Sequence, residues 1–260
     1  MAAPRIAILT GYGINSDVEL AQAFQMAGGQ SERVHLHDCI DGKIRLAEYD
    51  IVAIPGGFSF GDHIASGRVF ANRLRYKLGD TLLELREKKR PILGICNGFQ
   101  VLVKLGLLPG TTPASFTQTC TLTYNDSGRY EDRWVNLKVA GNNSSLWLKG
   151  IERLYLPVRH GEGKFIPGNP ELLQSLNATG QTCLRYCQPD GSPPKGFPEN
   201  PNGSVEHVAG LCSADGLVFG LMPHPEAHIF PTQHPRWTRE GLNDEGDGLQ
   251  IFRNAVRGVR

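Results

Sequence analysis

Cys96 stands at the centre of residues 94–98 (GICNG), directly after an apolar run that starts at Pro91. The pattern G-x-C-x-G has the form of the nucleophile elbow, a tight turn from a strand into a helix that needs small flanking residues. Such a turn presents the side chain at the strand end, and the amides of the following helix lower the pKa of a thiol. The pattern therefore predicts a nucleophilic cysteine; the alternative is a buried structural thiol.

A nucleophilic thiol needs a base, and His224 is the candidate. It follows the apolar run 217–221, which predicts a position at a strand end, and the prolines on either side of it restrict its backbone. Glu226 lies two residues further on and could accept a hydrogen bond from the imidazole, which would fix the orientation of the ring. We predict a catalytic triad of Cys96, His224 and Glu226.

A metal site is the alternative for the same segment, with four candidate ligands: His224, Glu226, His228 and His234. The prolines interrupt the regular ligand spacing that metal motifs use, and Cys183 and Cys187 form a single pair without a second one. We expect no metal in this chain. Six scattered cysteines in 260 residues also predict reduced thiols rather than a disulfide scaffold.

Residues 55–62 (PGGFSFGD) follow a third apolar run, and the paired glycines would allow the backbone to approach a ligand closely. An elbow enzyme stabilises its oxyanion with two backbone amides from different loops. We predict that the N–H groups of Gly57 and Asn97 form this oxyanion hole. The alternative is an ordinary turn after a strand.

The elements that must position these residues alternate in the first half of the chain. Strands are predicted at 5–10, 33–37, 49–54 and 91–95, and helices at 17–27 (opened by a capping box at Ser16), 74–89 and 97–105. This alternation is typical of an α/β fold in which ligands bind at the carboxyl ends of parallel strands. We predict a flavodoxin-like, mostly parallel sheet with helices on both faces.

The second half of the chain has a different pattern, because short predicted strands follow one another without long helices between them. They lie at 120–124, 134–139, 154–158, 184–186, 207–211 and 217–221. These strands predict added antiparallel pieces, and residues 190–203 (DGSPPKGFPENPNG) predict a solvated loop. Neither a repeat nor a sharp boundary divides the sequence, so we predict one domain over residues 1–260.

The composition excludes several classes of protein. The 27 basic and 26 acidic residues give a formal net charge of +1, without the basic excess of a nucleic-acid-binding protein. No apolar run approaches the ~20 residues of a membrane helix, and the first residues lack a secretory signal. We expect a cytoplasmic protein that binds neither nucleic acid nor a membrane.

Four motifs together resemble the class I, triad-type glutamine amidotransferases: PGGFSFGD at 55–62, LGICNGFQ at 93–100, RHGEGKF at 159–165 and MPHPE at 222–226. With NPNGS at 200–204, they are similar in particular to the glutaminase subunits or domains of phosphoribosylformylglycinamidine synthases. The likeness covers nearly the whole chain, from Arg5 to residues 251–257.

The resemblance implies that Cys96 attacks the side-chain amide of glutamine and that His224 delivers a proton to the leaving ammonia. It assigns glutamine contacts to six residues: Gly56, Phe58, Gln100, His160, Gly161 and Glu162. It further implies that ammonia passes through a tunnel to an ATP-dependent synthetase, which makes formylglycinamidine ribonucleotide in purine biosynthesis.

The 260 residues are too few for a synthetase ATP site as well, and they contain no G-x-x-x-x-G-K-[ST] motif. We therefore expect no cofactor in this chain, ATP and Mg²⁺ on a separate large synthetase subunit, and association with that subunit, with or without a further small one. The alternatives are another elbow-cysteine hydrolase of the peptidase or chaperone-like group, and a non-catalytic regulatory subunit. The presence of all three triad residues, Cys96, His224 and Glu226, counts against a non-catalytic regulatory subunit.

Overall fold

The computed structural model describes residues 2–110 and 116–259, which contain eleven strands and seven α-helices. The strands are β1 (Arg5–Thr10), β2 (Gln30–His35), β3 (Ile51–Ile54), β4 (Ile92–Ile95), β5 (Cys120–Tyr124), β6 (Glu131–Val139), β7 (Arg153–His160), β8 (Glu162–Pro167), β9 (Leu184–Cys187), β10 (Val208–Cys212) and β11 (Val218–Leu221). The helices are α1 (Asp17–Met26), α2 (Leu36–Ile40), α3 (Arg68–Glu87), α4 (Asn97–Leu105), α5 (Pro170–Ala178), α6 (Trp237–Glu240) and α7 (Leu249–Gly258).

Nine strands form one sheet in the order β2-β1-β3-β4-β11-β10-β9-β6-β7. The first five are parallel to one another and follow the flavodoxin-like order, with β11 as the last of the five. Every residue of β3, β4 and β11 is buried, as expected for parallel strands that are covered on both faces. The predicted α/β fold with a mostly parallel core is confirmed.

The remaining strands are the added antiparallel pieces that the second half of the sequence predicted. Strands β10, β9, β6 and β7 extend the sheet by antiparallel pairing, and β5 pairs with β8 in a separate two-stranded sheet. This small sheet packs against α4. It therefore brings residues near 160 close to the helix that follows Cys96.

The helices form two packed pairs, α1 with α7 and α3 with α4. Helix α4 begins and ends where the sequence predicted, and all nine of its residues are buried because it lies between the parallel strands, α3 and β5. A helix buried all round needs apolar residues on every face, which residues 97–105 largely supply. No helix in the described ranges is long and apolar enough to cross a membrane.

Three local predictions were wrong. Ser16 makes no side-chain cap for α1, because the amides of Asn15 and Ser16 both donate to the carbonyl oxygen of Gly56 at 3.3 Å and hold this turn against the glycine loop. The second strand is shifted to Gln30–His35 and leads directly into α2. The predicted solvated loop is buried at its end, where Asn202 donates to Gly163 O (2.9 Å) and to the Tyr186 hydroxyl (3.0 Å).

Candidate active site

The Cys96 thiol sits on a strained turn between β4 and α4. Its backbone has φ +52°, a value that few residues other than glycine adopt, and its N–H donates to Leu221 O at 2.8 Å. A Cβ on Gly94 would lie 2.6 Å from Gly98 O, and a Cβ on Gly98 would overlap Ile54 O. The two glycines therefore allow the helix to pack directly on β3 and β4, and this close packing holds the thiol at the strand end.

His224 and Glu226 follow the end of the neighbouring strand, β11, and form a buried hydrogen-bonded pair. The Nδ1 atom of His224 lies 2.6 Å from Oε1 of Glu226, and the His224 amide donates to Pro157 O at 2.8 Å. The other ring nitrogen, Nε2, is buried and has no hydrogen-bond partner among the described residues. The Cys96 thiol is close enough to raise the pKa of His224, and Gly56 packs against both residues. The structure thus brings all three predicted triad residues together.

The electrostatics of this pair favour a charged imidazole. Burial lowers the pKa of His224, but the Glu226 carboxylate and the Cys96 thiol outweigh burial and raise it to about 10. A protonated imidazole beside a cysteine is the environment that stabilises a thiolate. Cys96 and His224 can therefore hold a nucleophilic thiolate next to the imidazolium that carries its proton.

The glycine loop after β3 lies against both catalytic groups. A Cβ on Gly56 would lie 2.8 Å from Cε1 of His224 and 3.5 Å from Cβ of Cys96. Gly57 has φ +149° and packs on the turn at Gly13, where a Cβ would lie 2.5 Å from the carbonyl oxygen. Both positions need glycine. A side chain at residue 56 has no space between the thiol and the base, and one at residue 57 would collide with the turn at Gly13.

Both amides predicted for the oxyanion hole are uncommitted. Gly57 and Ile14 form an isolated β-bridge, but neither residue donates its hydrogen bonds. The two bonds come from adjacent residues: Phe58 N donates to Gly13 O (2.8 Å) and Asn15 N donates to Gly56 O (3.3 Å). Asn97 is the first residue of α4, where a helix leaves its N–H groups without an intrahelical partner. Within residues 2–110 and 116–259, neither N–H donates a hydrogen bond.

A cavity of about 280 Å³ opens beside the thiol. Seven of the predicted site residues line it: Gly57, Phe58, Cys96, Gln100, His160, Gly161 and Glu162. The other four (Gly56, Asn97, His224 and Glu226) are not among the residues that line it. The volume is at the lower end for ligand sites, which suits a ligand of amino-acid size.

Gln100, one of the predicted substrate contacts, is bonded to protein at both ends of its amide. Its Nε2 donates to Glu162 O and its Oε1 accepts from Asn97 Nδ2 at 2.9 Å. The Glu162 side chain accepts from the Ser66 amide at 3.3 Å through Oε2. Gln100 therefore also fixes the segment after β7 against α4, a role that the sequence alone did not indicate.

His160 is buried beside the thiol and stays neutral. Its Nδ1 lies 3.1 Å from Asn125 Oδ1, and Nε2 has no partner among the described residues. Burial, and then the nearby charge of His224, lower the pKa of His160 to about 3. A Cβ on Gly163 would lie 2.5 Å from the His160 ring, so the glycine of the HGEG segment makes room for it.

Seven further residues that were not predicted line the cavity: Asp62, Ser66, Tyr124, Gly128, Arg129, Tyr130 and Arg159. The thiol lies 3.6 Å from Arg159 O, and the Tyr130 ring lies 6.3 Å from that of Phe58. Asp62 and Arg159 belong to the quoted motifs at 55–62 and 159–165, which could have identified them. Tyr130 carries no such local signal, because only the pairing of β6 with β7 brings it to the site.

A larger cavity, of about 880 Å³, lies between residues 138–153 and Asp215 and Leu217. None of the predicted site residues lines it. The nucleophile and the Gly57 amide line the smaller cavity, which is therefore the candidate active site. In the part of the chain that the structure describes, no group of three or more His, Cys, Asp or Glu residues could hold a metal ion.

Comparison with known families agrees with this geometry. A family profile described as a CobB/CobQ-like glutamine amidotransferase domain matches residues 3–258, nearly the whole chain. The chain therefore belongs to the glutamine amidotransferases.

Its relatives define the type more narrowly. It is 46% identical over 260 residues to a protein of Dehalococcoides mccartyi named phosphoribosylformylglycinamidine synthase subunit PurQ, covering 100% of this chain and 99% of that one. It is 38% identical to the human phosphoribosylformylglycinamidine synthase, over 88% of this chain but 18% of that much longer one. A chain of the PurLQS structure from Thermotoga maritima superposes with a TM-score of 0.74 at 27% identity, over 99% of this chain and 100% of that chain. Within the family, the chain is of the PurQ type.

Proposed function

We propose that this chain is the glutaminase subunit of a phosphoribosylformylglycinamidine synthase. It hydrolyses glutamine to glutamate and supplies the ammonia to a separate synthetase subunit. The observation that carries the proposal is the alignment of Cys96, His224 and Glu226 at the ends of β4 and β11, beside a cavity of amino-acid size. The family and the 46% identical PurQ relative support the same activity.

In this mechanism the Cys96 thiolate attacks the side-chain amide carbon of glutamine. The negative charge that develops on the amide oxygen is stabilised by the N–H groups of Gly57 and Asn97. His224 gives its proton to the departing nitrogen, which leaves as ammonia, and a glutamyl thioester remains on Cys96. His224 then takes a proton from water, which attacks the thioester and releases glutamate, while Glu226 keeps the imidazole oriented throughout.

The remaining contacts orient the amino-acid end of glutamine. We propose that Gly56 and Phe58 bound the pocket from one loop and that His160, Gly161 and Glu162 bound it from the other, with Gln100 between them. Glu162 uses one carboxylate oxygen to accept from Ser66 N. Its other oxygen has no hydrogen-bond partner in the part of the chain that the structure describes, and we propose that it binds the substrate ammonium. Neutral His160 can offer Nε2 to the substrate without a competing charge.

The ammonia must reach a second active site, and we propose that this site is on a large synthetase subunit that binds ATP and Mg²⁺. The human relative carries the name of the whole synthase, and this chain matches 18% of its length. The PurLQS structure contains a chain of the same fold, which is consistent with a complex that includes a further small subunit. We also propose that the complex works in the cytoplasm, where reduced thiols such as the six free cysteines persist.

Labelling with 6-diazo-5-oxonorleucine, a glutamine analogue with an electrophilic carbon, tests the proposal. We expect mass spectrometry to find one adduct, on Cys96, that excess glutamine suppresses. The other five cysteines are buried and serve as internal controls. The experiment should be run on the chain alone and with its synthetase partner, because docking can be required to complete the site. An unlabelled Cys96 in the complex, or a label on another cysteine, would contradict the proposal.

A further inference from the structure

Five residues at the floor of the cavity form a closed hydrogen-bonded ring. In order around it they are Asp62, Asn97, Gln100, Glu162 and Ser66. Asn97 Nδ2 donates to Asp62 Oδ1 (3.3 Å) and to Gln100 Oε1 (2.9 Å), and Gln100 Nε2 donates to Glu162 O. Ser66 closes the ring, with its N donating to Glu162 Oε2 (3.3 Å) and its hydroxyl to Asp62 Oδ2 (3.0 Å).

The ring joins three segments that are distant in sequence: the loop 58–67, the start of α4 and the turn between β7 and β8. The loop is strained at Phe60 and Asp62, which have φ values of +54° and +53°. Gly61 and Gly67 have φ values of +69° and +74°, which glycine adopts without this cost. Strain of this kind persists only where surrounding contacts hold it. Asp62 supplies such contacts, since its Oδ1 also accepts from Gly67 N at 3.4 Å.

Asp62 and Glu162 are the ring members that only accept hydrogen bonds within it, and the Asp62 carboxylate accepts from Asn97, Ser66 and Gly67. The sharing of this carboxylate fixes the Asn97 side chain at the first residue of α4, next to the thiol. It fixes Glu162 as well, through Ser66. Burial and the charge of Glu162 raise the pKa of Asp62, so the protein keeps this carboxylate in the ring despite an unfavourable environment.

We propose that Asp62 is a positioning residue of the glutaminase reaction, which acts through the five-residue ring to hold Asn97, and with it the oxyanion amide, in place. The inference rests on the proposed function and assigns to Asp62 a role in the chemical step rather than in glutamine binding. The expected signature is a lower kcat with a nearly unchanged KM, because an oxyanion contact is stronger in the transition state than in the bound substrate.

The main test is Asp62→Asn, measured in the complex with the synthetase. The amide keeps one acceptor oxygen for Asn97 and Gly67 but turns the other into a donor, so the Ser66 hydroxyl must reverse to keep its bond. The negative charge that strengthens all three bonds is lost. We expect the glutamine-dependent kcat to fall about tenfold or more, with KM changed less than about threefold and the ammonia-dependent rate unchanged. An unchanged kcat, or a rise in KM that accounts for the whole loss, would overturn the proposal.

Ser59→Ala is the matched control. Ser59 lies in the same loop and is more deeply buried than Asp62, but its hydroxyl has no hydrogen-bond partner among the described residues. Alanine keeps the backbone bond from Ser59 N to Asn97 Oδ1 (3.3 Å). We expect its kcat within about twofold of the wild-type value. If Asp62→Asn fails to fold, Ser66→Ala removes one ring bond more gently and should lower kcat several-fold without a change in KM. No loss of kcat in Ser66→Ala would then overturn the proposal.

A double-mutant cycle of Asp62→Asn with Gln100→Ala tests whether the ring acts as a unit. The two side chains share Asn97 Nδ2 as a donor. If the ring is the functional element, the second substitution should cost much less than it does alone. If the loss of kcat in the double variant equals the product of the two single losses within about twofold, the proposal is overturned. Failure of wild-type glutamine turnover would instead refute the proposed function, so the two failures are distinguishable.

Discussion

The candidate active site has two walls of different construction. The strand-end wall (Cys96, His224 and Glu226) is buried and held by backbone hydrogen bonds, from Cys96 N to Leu221 O and from His224 N to Pro157 O. The loop wall (residues 58–67, 128–131 and 159–162) is joined to helix α4 by side-chain hydrogen bonds of Asn97 and Gln100. Its rim is open: Phe58 is 45% exposed and Tyr130 is 51% exposed.

The comparison indicates that the triad residues are positioned by the strands of the sheet. The substrate contacts lie on loops whose conformation depends on side-chain hydrogen bonds. Backbone bonds between buried strands resist substitution and local opening. Side-chain bonds among loops are individually replaceable. We therefore expect changes at the strand-end wall to abolish or cripple the chemical step, and changes at the loop wall to have graded effects.

The largest effect is expected for Cys96→Ser in the complex with the synthetase. A hydroxyl is a much weaker nucleophile in the same position, and glutamine-dependent synthesis should fall by about a thousandfold or more. Ammonia-dependent synthesis should persist, because it bypasses the thiol. Loss of both activities would show that Cys96 is needed for structure rather than for chemistry.

The next effect is expected for Gly56→Ala. The added methyl group would lie 2.8 Å from the His224 ring and 3.5 Å from Cβ of Cys96, and would push base and thiol apart. We expect kcat for glutamine hydrolysis to fall about a hundredfold while the protein stays folded by circular dichroism. Gly141→Ala is the control, since a Cβ there meets nothing within 4 Å. Wild-type turnover in Gly56→Ala would show that the buried residues of the strand-end wall can shift to accommodate a methyl group without loss of activity.

A smaller loss is expected for Glu226→Gln, which keeps the size of the side chain but removes its charge. The amide cannot stabilise the imidazolium, so the pKa of His224 should fall from its raised value. Because an orienting group contributes less than the base it holds, kcat should fall about 10- to 100-fold. The His224 titration followed by NMR checks the cause, and an unshifted pKa would exclude Glu226 as the charge partner.

The smallest effect concerns stability at the loop wall. His160 has its pKa lowered to about 3 by burial and by the charge of His224, whereas an unfolded histidine titrates near about 6.5. Below that pH the unfolded state binds a proton that the folded state does not, so the free energy of unfolding falls with decreasing pH. His160→Asn should remove up to about 1.4 kcal/mol per pH unit from this slope in urea titrations between about pH 6 and 4. Equal slopes in both proteins would mean that His160 is protonated in the folded state.

The strand-end wall could be predicted from sequence because its signals are local. The glycines around Cys96 and the prolines around His224 follow apolar runs, and parallel strands gather such positions at one edge of a sheet. Helix α4 begins and ends at the predicted residues for the same reason. The loop wall could not be predicted in this way, because its ring depends on residues 62, 97 and 162 meeting through tertiary packing. Strand β8 was also missed, since GEGKF has no regular alternation of apolar and polar residues.

The adjacency of β4 and β11 has a consequence for how activity appears during synthesis of the chain. Cys96 is translated well before Leu221, whose carbonyl accepts its amide, and before His224 and Glu226. A nascent chain that carries the complete elbow therefore has no base and no partner strand for its thiol. Glutamine hydrolysis can begin only after the residues up to Glu226 have left the ribosome and β11 has paired with β4. The order of translation itself prevents an unfinished chain from releasing ammonia.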